Sequence, residues 1–275
     1  MIVADALSLL EARYPPGDAE PWDRVGLLSG DSTGLVGHVV CALDPDIGTL
    51  LRAQAAGADL LVTHHPTYLP SDPDSPASVY GVGLEQAARE MGIALISCHT
   101  NLDVSEEARL SLGAGLSLKS QGSLAEYFGG KETYFEKPGY AQLWSVERKT
   151  RIAQIADRLS RFYRAPVYRT TTPAGPDQLI FSVVTAAGSG GDALEATLAR
   201  HADLLICGEL KYHQRLEAND RGLCIIELGH DISEWPLVTL LYDALKPACE
   251  GQGVKITLLK PARNSEVIVA RKDRR

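Results

Sequence analysis

The adjacent histidines His64 and His65 form a pair whose residue type suits metal binding. They follow an apolar run, residues 59–63, that predicts a short strand, and Pro66 comes directly after them. Successive side chains of a strand point to opposite faces, but a proline ends the strand here, so both imidazoles can turn toward neighbouring metal ions. Imidazole nitrogen binds zinc, iron, copper or nickel. A histidine pair alone, however, is more typical of a surface or a cap than of a metal site.

At the ends of two other predicted strands, a carboxylate comes four residues after a histidine: His99 with Asp103, and His230 with Glu234. Carboxylate oxygens can bridge two ions, and histidine-rich half-sites that share carboxylates are what a dinuclear hydrolytic centre requires. The alternative is structural, since Asp103 or the turn at 229–231 could instead cap the helix that follows. Joint occurrence at strand ends favours a two-metal site, whose predicted ligands are His64, His65, Asp103, His230 and Glu234.

His99 and Glu209 are the predicted catalytic residues, which would move a proton rather than hold a metal ion. Both follow predicted strands, where the functional side chains of α/β proteins gather. A histidine or glutamate within reach of a water in such a site can act as general acid or base. His99 is the first choice for this role, and a histidine that only stabilises its turn is the equal alternative. His213 is a further candidate without an assigned role.

An internal repeat organises the chain. Residues 58–62, Ala-Asp-Leu-Leu-Val, reappear as Ala-Asp-Leu-Leu-Ile at 202–206. Each copy follows an apolar strand and a helix, and each is followed by a second helix and strand. We therefore predict an α/β fold of two related α/β lobes that arose by internal duplication, with mixed sheets covered by helices.

The repeat also predicts where the lobes begin and end. Residues 92–98 correspond to 222–228, so the two histidine–carboxylate pairs are expected at equivalent points. The first lobe is predicted to comprise residues 1–123 plus 246–275 and the second residues 124–245, with the metal site between them. Segments without obvious chemistry are a loop at 21–30, a connector at 122–139, a helix at 149–163, and strands at 254–259 and 267–270.

Composition narrows the setting and the partners. The net charge of −8 and the pI near 5.4 disfavour a surface built to neutralise phosphates, so nucleic acid is a minor candidate partner. Five cysteines without a close pair predict neither a disulfide framework nor a zinc ribbon. No apolar run reaches the ~18 residues that a membrane-spanning helix needs. We therefore expect a cytoplasmic protein without a membrane partner.

The candidate residues lie within a set of five short motifs, which are Pro21-Trp22-Asp23-Arg24-Val25-Gly26-Leu27, Thr63-His64-His65-Pro66, His99-Thr100-Asn101-Leu102-Asp103, Gly208-Glu209-Leu210-Lys211-Tyr212-His213 and Gly229-His230-x-x-Ser233-Glu234. In type and order, these motifs resemble those of a dinuclear-metal-centre family that is called GTP cyclohydrolase 1 type 2. The same family is also known from an NGG1-interacting factor. The resemblance implies that the five predicted ligands hold two divalent metal ions, with zinc, iron, manganese or nickel as candidates. It also implies a toroidal homohexamer whose metal sites open to a central cavity. The interval 104–208 is too short for the inserted domain of longer members.

Three positions depart from the family's usual pattern. Arg24 stands in place of an asparagine, residues 67–69 replace an apolar-aromatic run, and Asp231 replaces an aromatic residue. The resemblance therefore transfers metal ligands to this chain more securely than substrate contacts.

The predicted function is a dinuclear metal-binding protein that acts as a metal-dependent hydrolase on a nucleotide or related small molecule. The family name suggests GTP ring opening, although nothing in the chain resembles a guanine pocket or a P-loop. The alternative is a metal-handling or regulatory ring protein without turnover. A nucleic-acid-binding ring is a third hypothesis, but its basic residues alternate with apolar ones, as on a solvated surface; they are Arg158, Arg161, Arg164 and Arg169.

Overall fold

The fold is given by a computed structural model that describes residues 1–69, 75–116, 118–124, 127–128, 131–132 and 139–261. Its helices are α1 (Val3–Arg13), α2 (Ile47–Ala55), α3 (Pro76–Glu90), α4 (Thr100–Asp103), α5 (Glu106–Ser111), α6 (Ile152–Tyr163), α7 (Gly191–Ala199), α8 (Tyr212–Asp220) and α9 (His230–Gly251). Its strands are β1 (Gly26–Ser29), β2 (His38–Ala42), β3 (Leu60–Thr63), β4 (Ala94–Ser97), β5 (Leu118–Leu124), β6 (Tyr127–Phe128), β7 (Lys131–Glu132), β8 (Ala141–Arg151), β9 (Arg169–Thr171), β10 (Leu179–Ser189), β11 (Leu204–Glu209), β12 (Cys224–Glu227) and β13 (Lys255–Leu258). Within these ranges, no helix combines the length and apolarity needed to cross a membrane.

A five-stranded sheet carries the first half of the chain, in the order β1-β4-β3-β2-β13. The strands β2, β3, β4 and β13 run parallel, and β1 pairs antiparallel with β4 at one edge. Every residue of β2, β3 and β4 is buried, because α1 and α9 pack on one face of the sheet and α2 and α3 on the other. A sheet covered on both faces needs continuous apolar strands rather than alternating ones.

A six-stranded sheet carries the second half, in the order β5-β8-β10-β11-β12-β9. Its central strands β10, β11 and β12 run parallel, while β5, β8 and β9 pair antiparallel with their neighbours. Helices α7 and α8 cover one face and α6 covers the other. Two mixed sheets covered by helices confirm the predicted fold class.

The two halves share a structural detail at the start of their repeated strands. The Oδ2 atom of Asp59 accepts hydrogen bonds from the backbone amides of residues 37–38, at 2.8 and 3.0 Å. The Oδ2 atom of Asp203 accepts from the amides of residues 181–182, both at 2.8 Å. Each aspartate therefore ties its own strand to the beginning of the neighbouring strand. This shared contact supports the duplication that the sequence repeat predicts.

The strand register corrects one detail of the repeat. Thr63 pairs with Ser97 in the first sheet, and Cys207 pairs with Glu227 in the second. Counting two residues on from Ser97 and Glu227 aligns His99 with Gly229, and both are the N-cap residues of their helices. The prediction that His99 and His230 are equivalent is therefore wrong by one residue. Apolar strands of similar composition identify the repeat, but they do not align the residues that follow the strands.

Three predicted segments differ from the structure. The loop predicted at 21–30 contains the edge strand β1, whose side chains are mostly half-buried and give no alternating pattern. The connector at 122–139 begins inside β5, and its residues 125–126, 129–130 and 133–138 lie outside the described ones. The helix at 149–163 begins only at Ile152, because β8 continues through Arg151. The strand predicted at 267–270 also lies outside the described residues.

Helix α9 joins the two sheets. It contacts β10 and β11 of the second sheet and β2, β3 and β13 of the first. The predicted lobe boundary between residues 245 and 246 falls inside this helix, and the division into lobes stays a prediction. The side chains that α9 contributes to the first sheet's core are Leu237, Val238, Leu241, Leu245 and Cys249.

Candidate metal centre

The carboxyl ends of the parallel strands bring all five predicted ligands together. His64 and His65 follow β3, and Asp103 closes the short helix α4 that follows β4. His230 and Glu234 occupy the first two turns of α9, which follows β12. Because parallel strands of a covered sheet end at the same edge, residues far apart in sequence meet there.

Glu234 lies at the middle of this cluster. Its Oε2 atom is 3.0 Å from Nε2 of His65 and 3.0 Å from Nε2 of His230. Its Oε1 atom is 3.9 Å from Nε2 of His64, and Oδ1 of Asp103 is 3.5 Å from that same nitrogen. One carboxylate thus faces three imidazoles, an arrangement that suits a ligand shared between two ions.

The donor atoms form two overlapping groups. One ligand atom each from His64, His65 and His99 lie within 4.8 Å of one another, and so do those of His65, His230 and Glu234. The structure therefore places His99 among the candidate ligands, although the sequence predicts it to be catalytic. His65 belongs to both groups, which places it between the two candidate positions.

Each of the four histidines has an oxygen acceptor at Nδ1. Such an acceptor favours the proton on Nδ1 and leaves the Nε2 lone pair free, a common arrangement of metal-binding histidines. The acceptors are the Cys98 carbonyl for His64 at 2.9 Å, Asp44 for His65 at 2.7 Å, Asp23 for His99 at 2.9 Å and Glu209 for His230 at 2.7 Å.

Two buried polar atoms of the cluster have no hydrogen-bond partner in the part of the chain that the structure describes. They are Nε2 of His64, whose side chain is 0% exposed, and Oε2 of Glu234, which is close to two imidazoles without hydrogen-bond geometry. Buried polar atoms without a partner are rare and call for an explanation such as an ion. The orphaned nitrogen and oxygen, both good donors to divalent ions, show that these residues fit a metal.

The protonation of the cluster follows from burial and from its carboxylates. Burial lowers the pKa of His64 to about 3, so this imidazole is neutral. Burial also lowers the pKa of His65, but its contacts with Asp44 and Glu234 outweigh that effect and raise the pKa to about 10. Contact with Glu234 raises the pKa of His230 to about 9.

The two carboxyl groups shift in opposite directions. Burial raises the pKa of Asp103 to about 7. Burial also acts to raise the pKa of Glu234, but its contacts with His230 and His65 dominate and hold that pKa well below the usual range. Glu234 is therefore ionised, and without a metal ion the protonated imidazoles of His65 and His230 stabilise its charge.

Asp23 and Asp44 are site residues that the sequence prediction missed. The side chain of Asp23 is 0% exposed, and its second oxygen accepts from the Thr100 amide at 2.9 Å and the Thr100 hydroxyl at 2.5 Å. Asp23 belongs to the N-terminal motif and Asp44 directly follows a strand end, but neither position by itself pairs an aspartate with a particular imidazole. Of the other predicted residues, Glu209 contacts Nδ1 of His230, the ring nitrogen that does not face Glu234. His213 is exposed on α8.

The cluster forms one end of a pocket of about 460 Å³ that lies between the two sheets. Loops of the first half contribute Trp22, Tyr68 and Leu69 to its walls. The second half contributes small apolar side chains, and these are Ala141, Ala186, Ala187, Ala193 and Ala196. The volume is that of a small-molecule site.

Fold and site together define a class: a two-sheet α/β protein with a histidine and carboxylate cluster at the carboxyl ends of its strands. A family model described as DUF34/NIF3, NGG1p interacting factor 3, matches residues 1–265. The chain therefore belongs to the DUF34/NIF3 family.

Curated relatives share the name GTP cyclohydrolase 1 type 2 homolog. The Streptomyces coelicolor protein is 27% identical over 236 residues, covering 85% of this chain and 82% of its own length. The Clostridium acetobutylicum protein is 24% identical over 264 residues, with 95% and 96% covered. The crystal structure of a Bacillus cereus protein related to NIF3 superimposes with a TM-score of 0.83 at 17% identity, covering 98% of this chain and 99% of the other. This last likeness shows a common fold.

Proposed function

We propose that this protein binds two divalent metal ions and uses them to hydrolyse a small molecule. The observation that carries the proposal is the convergence of imidazole Nε2 atoms around Glu234, each oriented by an oxygen at Nδ1. The ligands proposed are the five predicted ones: His64, His65, Asp103, His230 and Glu234. Their mixed nitrogen and oxygen donors suit zinc, iron, manganese or nickel.

Metal ions bound here would supply Lewis acidity and a lowered pKa for a coordinated water. The chain itself contributes orientation and proton transfer. Asp44 and Glu209 fix the ring planes of His65 and His230, so we propose a positioning role for Glu209 in place of the predicted catalytic one. Positioning side chains of this kind fix both the tautomer and the direction of the donor nitrogen.

His99 is the proposed proton carrier. Asp23 accepts its Nδ1 proton, which leaves Nε2 facing the cluster and the pocket. A base in that position can take a proton from the attacking water and return it to the leaving group. The buried carboxylate of Asp23 would stabilise the imidazolium that forms in between, as the aspartate of a histidine dyad does.

The pocket supports a small-molecule substrate over metal storage. A protein that only holds or delivers ions needs the donor atoms but has no use for an apolar-walled cavity beside them. A nucleotide or a related molecule is the proposed substrate class, in keeping with the names of the curated relatives. The toroidal homohexamer implied by the sequence resemblance stays a prediction, which sedimentation would check.

Metal analysis of protein purified without chelating resin tests the proposal. We expect about two equivalents of metal in the wild type and fewer in His65→Ala. A screen of nucleotides and phosphoesters with the identified metal then tests hydrolysis. Less than one equivalent under varied metal supplies would refute the centre, and full metal content without turnover on any substrate would favour the metal-handling alternative.

A further inference from the structure

Arg109 is a charged pocket residue that the metal cluster does not use. It lies on α5 and lines the same pocket as His65, His99 and Glu234. One of its Nη atoms donates to the Val104 carbonyl. Its Nε atom is buried and has no hydrogen-bond partner among the described residues. Because the bond to Val104 is the one side-chain hydrogen bond that Arg109 forms among the described residues, its guanidinium has further N–H donors without a protein partner.

Two other arginines of the first half have carboxylate partners. Arg13 forms an ion pair with Glu107, which precedes Arg109 on the same helix, and Arg24 forms one with Glu85 at 2.6 Å. Across the described residues, Arg109 has no carboxylate within ion-pair distance. Arginine in a partly buried site is normally matched by a carboxylate or phosphate, so the missing partner here points to a ligand.

The carboxylates of the pocket do not neutralise Arg109. Asp103 and Glu234 face the histidines of the cluster. Asp192 also lines the pocket, but it is exposed and therefore hydrated. Among the described residues, the remaining wall is mostly apolar and carries no other cationic side chain apart from the cluster's histidines, which leaves the guanidinium as the group best able to orient an anionic ligand.

We propose that Arg109 binds an anionic oxygen group of the pocket's ligand, a carboxylate or a phosphate. The planar guanidinium can offer two parallel N–H donors to either group. This assignment deepens the proposed function, because it makes the substrate a small anion whose other end reaches the metal cluster. The anion site itself needs no metal ion, so the two proposals can fail separately.

Calorimetric titration of inorganic phosphate, and separately of acetate, into chelator-treated and dialysed protein tests the site without metal ions. We expect saturable binding of at least one of the two anions to the wild type, and an affinity lower by about tenfold or more in Arg109→Gln. The anion that binds more tightly identifies the group. Arg158→Gln is the matched control, because Arg158 is exposed on α6 and does not line the pocket.

Arg109 also donates a hydrogen bond to the Val104 carbonyl, so Arg109→Gln could lose affinity through a local structural change. A second variant separates this effect from the loss of the charge. Arg109→Lys keeps the charge and should lose less affinity than Arg109→Gln. Absence of saturable binding in the wild type, equal affinity in Arg109→Gln, or an equal loss in Arg158→Gln would overturn the proposal. The proposal would also be overturned if anion binding were abolished in His230→Ala but retained in Arg109→Gln. Metal content after reloading, expected to be unchanged in Arg109→Gln, tests the metal centre independently.

Discussion

Nε2 of His65 lies 3.0 Å from Oε2 of Glu234, a contact between the end of a first-sheet strand and the beginning of α9. The same oxygen is 3.0 Å from Nε2 of His230. In the absence of metal, the positive charges of the two protonated imidazoles attract this carboxylate. A divalent ion and those protons therefore compete for the same space.

Replacing Glu234 by glutamine should remove the group that both candidate metal positions share. We expect Glu234→Gln to lose at least one equivalent of bound metal, because a neutral amide cannot balance the charge of an ion in this buried place. Metal analysis after dialysis measures the loss. Glu217→Gln is the control, since Glu217 forms an exposed pair with Arg221 on α8 and should retain full metal content.

Metal binding should release protons at neutral pH. The pKa values of His65, about 10, and His230, about 9, mean that both imidazoles carry an extra proton at pH 7 in the metal-free protein. His64, with a pKa of about 3, has none to release. Metal affinity should accordingly rise as pH increases from 7 toward 9.

Calorimetry in buffers of different ionisation enthalpy measures this proton release. We expect roughly two protons per fully loaded chain, with an additional fraction from Asp103, whose pKa is about 7. Zero release at pH 7 would show that the imidazoles are already neutral and that Glu234 does not hold them protonated.

The stability of the metal-free protein should have a maximum in weakly acidic solution. The pKa of His65 is raised from 6.5, so its contribution is complete below pH 6.5 and is lost as pH rises through about 10. The pKa of Glu234 is lowered from 4.5, so its contribution is present above pH 4.5 and is lost on acidification. His64 adds to the acid loss below pH 6.5, because the unfolded state takes up a proton that the buried ring refuses.

Thermal melts from pH 4 to pH 10 in a chelator, roughly spanning these pKa values, would record that profile. In His65→Gln, the fall in melting temperature at alkaline pH should be smaller. The fall at acidic pH that His64 causes should remain. A melting temperature that rises steadily to pH 10 in the wild type would contradict the predicted pairing of His65 with Glu234.

His99→Ala distinguishes a proton carrier from a metal ligand. If His99 carries protons, the variant keeps its metal ions and loses turnover by about 10²–10⁴-fold. Asp23→Asn should act in the same direction, because a neutral amide cannot stabilise the imidazolium as the Asp23 carboxylate does. Loss of a metal equivalent in His99→Ala would instead make this residue a ligand of the group it forms with His64 and His65.

Two of the departures from the family pattern, Arg24 and the segment 67–69, contact each other. The guanidinium of Arg24 lies 4.0 Å above the ring of Tyr68, and it donates to Thr67 at 3.2 Å and to Glu85 at 2.6 Å. Arg24→Asn would leave the mostly buried carboxylate of Glu85 unpaired, at a cost of about 1–3 kcal/mol in unfolding free energy. Denaturant titration measures it, and the double variant Arg24→Asn/Glu85→Gln should recover part of the loss. An equal loss in both variants would rule out the ion pair as the cause.

The sequence predicted those parts of the site whose residue types are informative by themselves. Adjacent histidines before a proline, and histidine–carboxylate pairs at the ends of two repeated strands, together indicate a metal site, so the cluster could be predicted. Asp23 and Asp44 could not, because an aspartate in a loop has many roles and only the fold places it against a particular imidazole. Edge strand β1 escaped prediction for a related reason, since half-buried side chains produce no periodic signal.

Helix α9 carries His230 and Glu234 at its beginning and packs Leu241 and Leu245 into the core of the first sheet further along. If the proposed ions bind, seating this helix and completing the metal cluster are coupled, so ion binding would add to the free energy of unfolding. A chain deprived of metal would open more often at α9 and expose that apolar surface to proteases. The supply of metal ions would then set the lifetime of the protein as well as its activity.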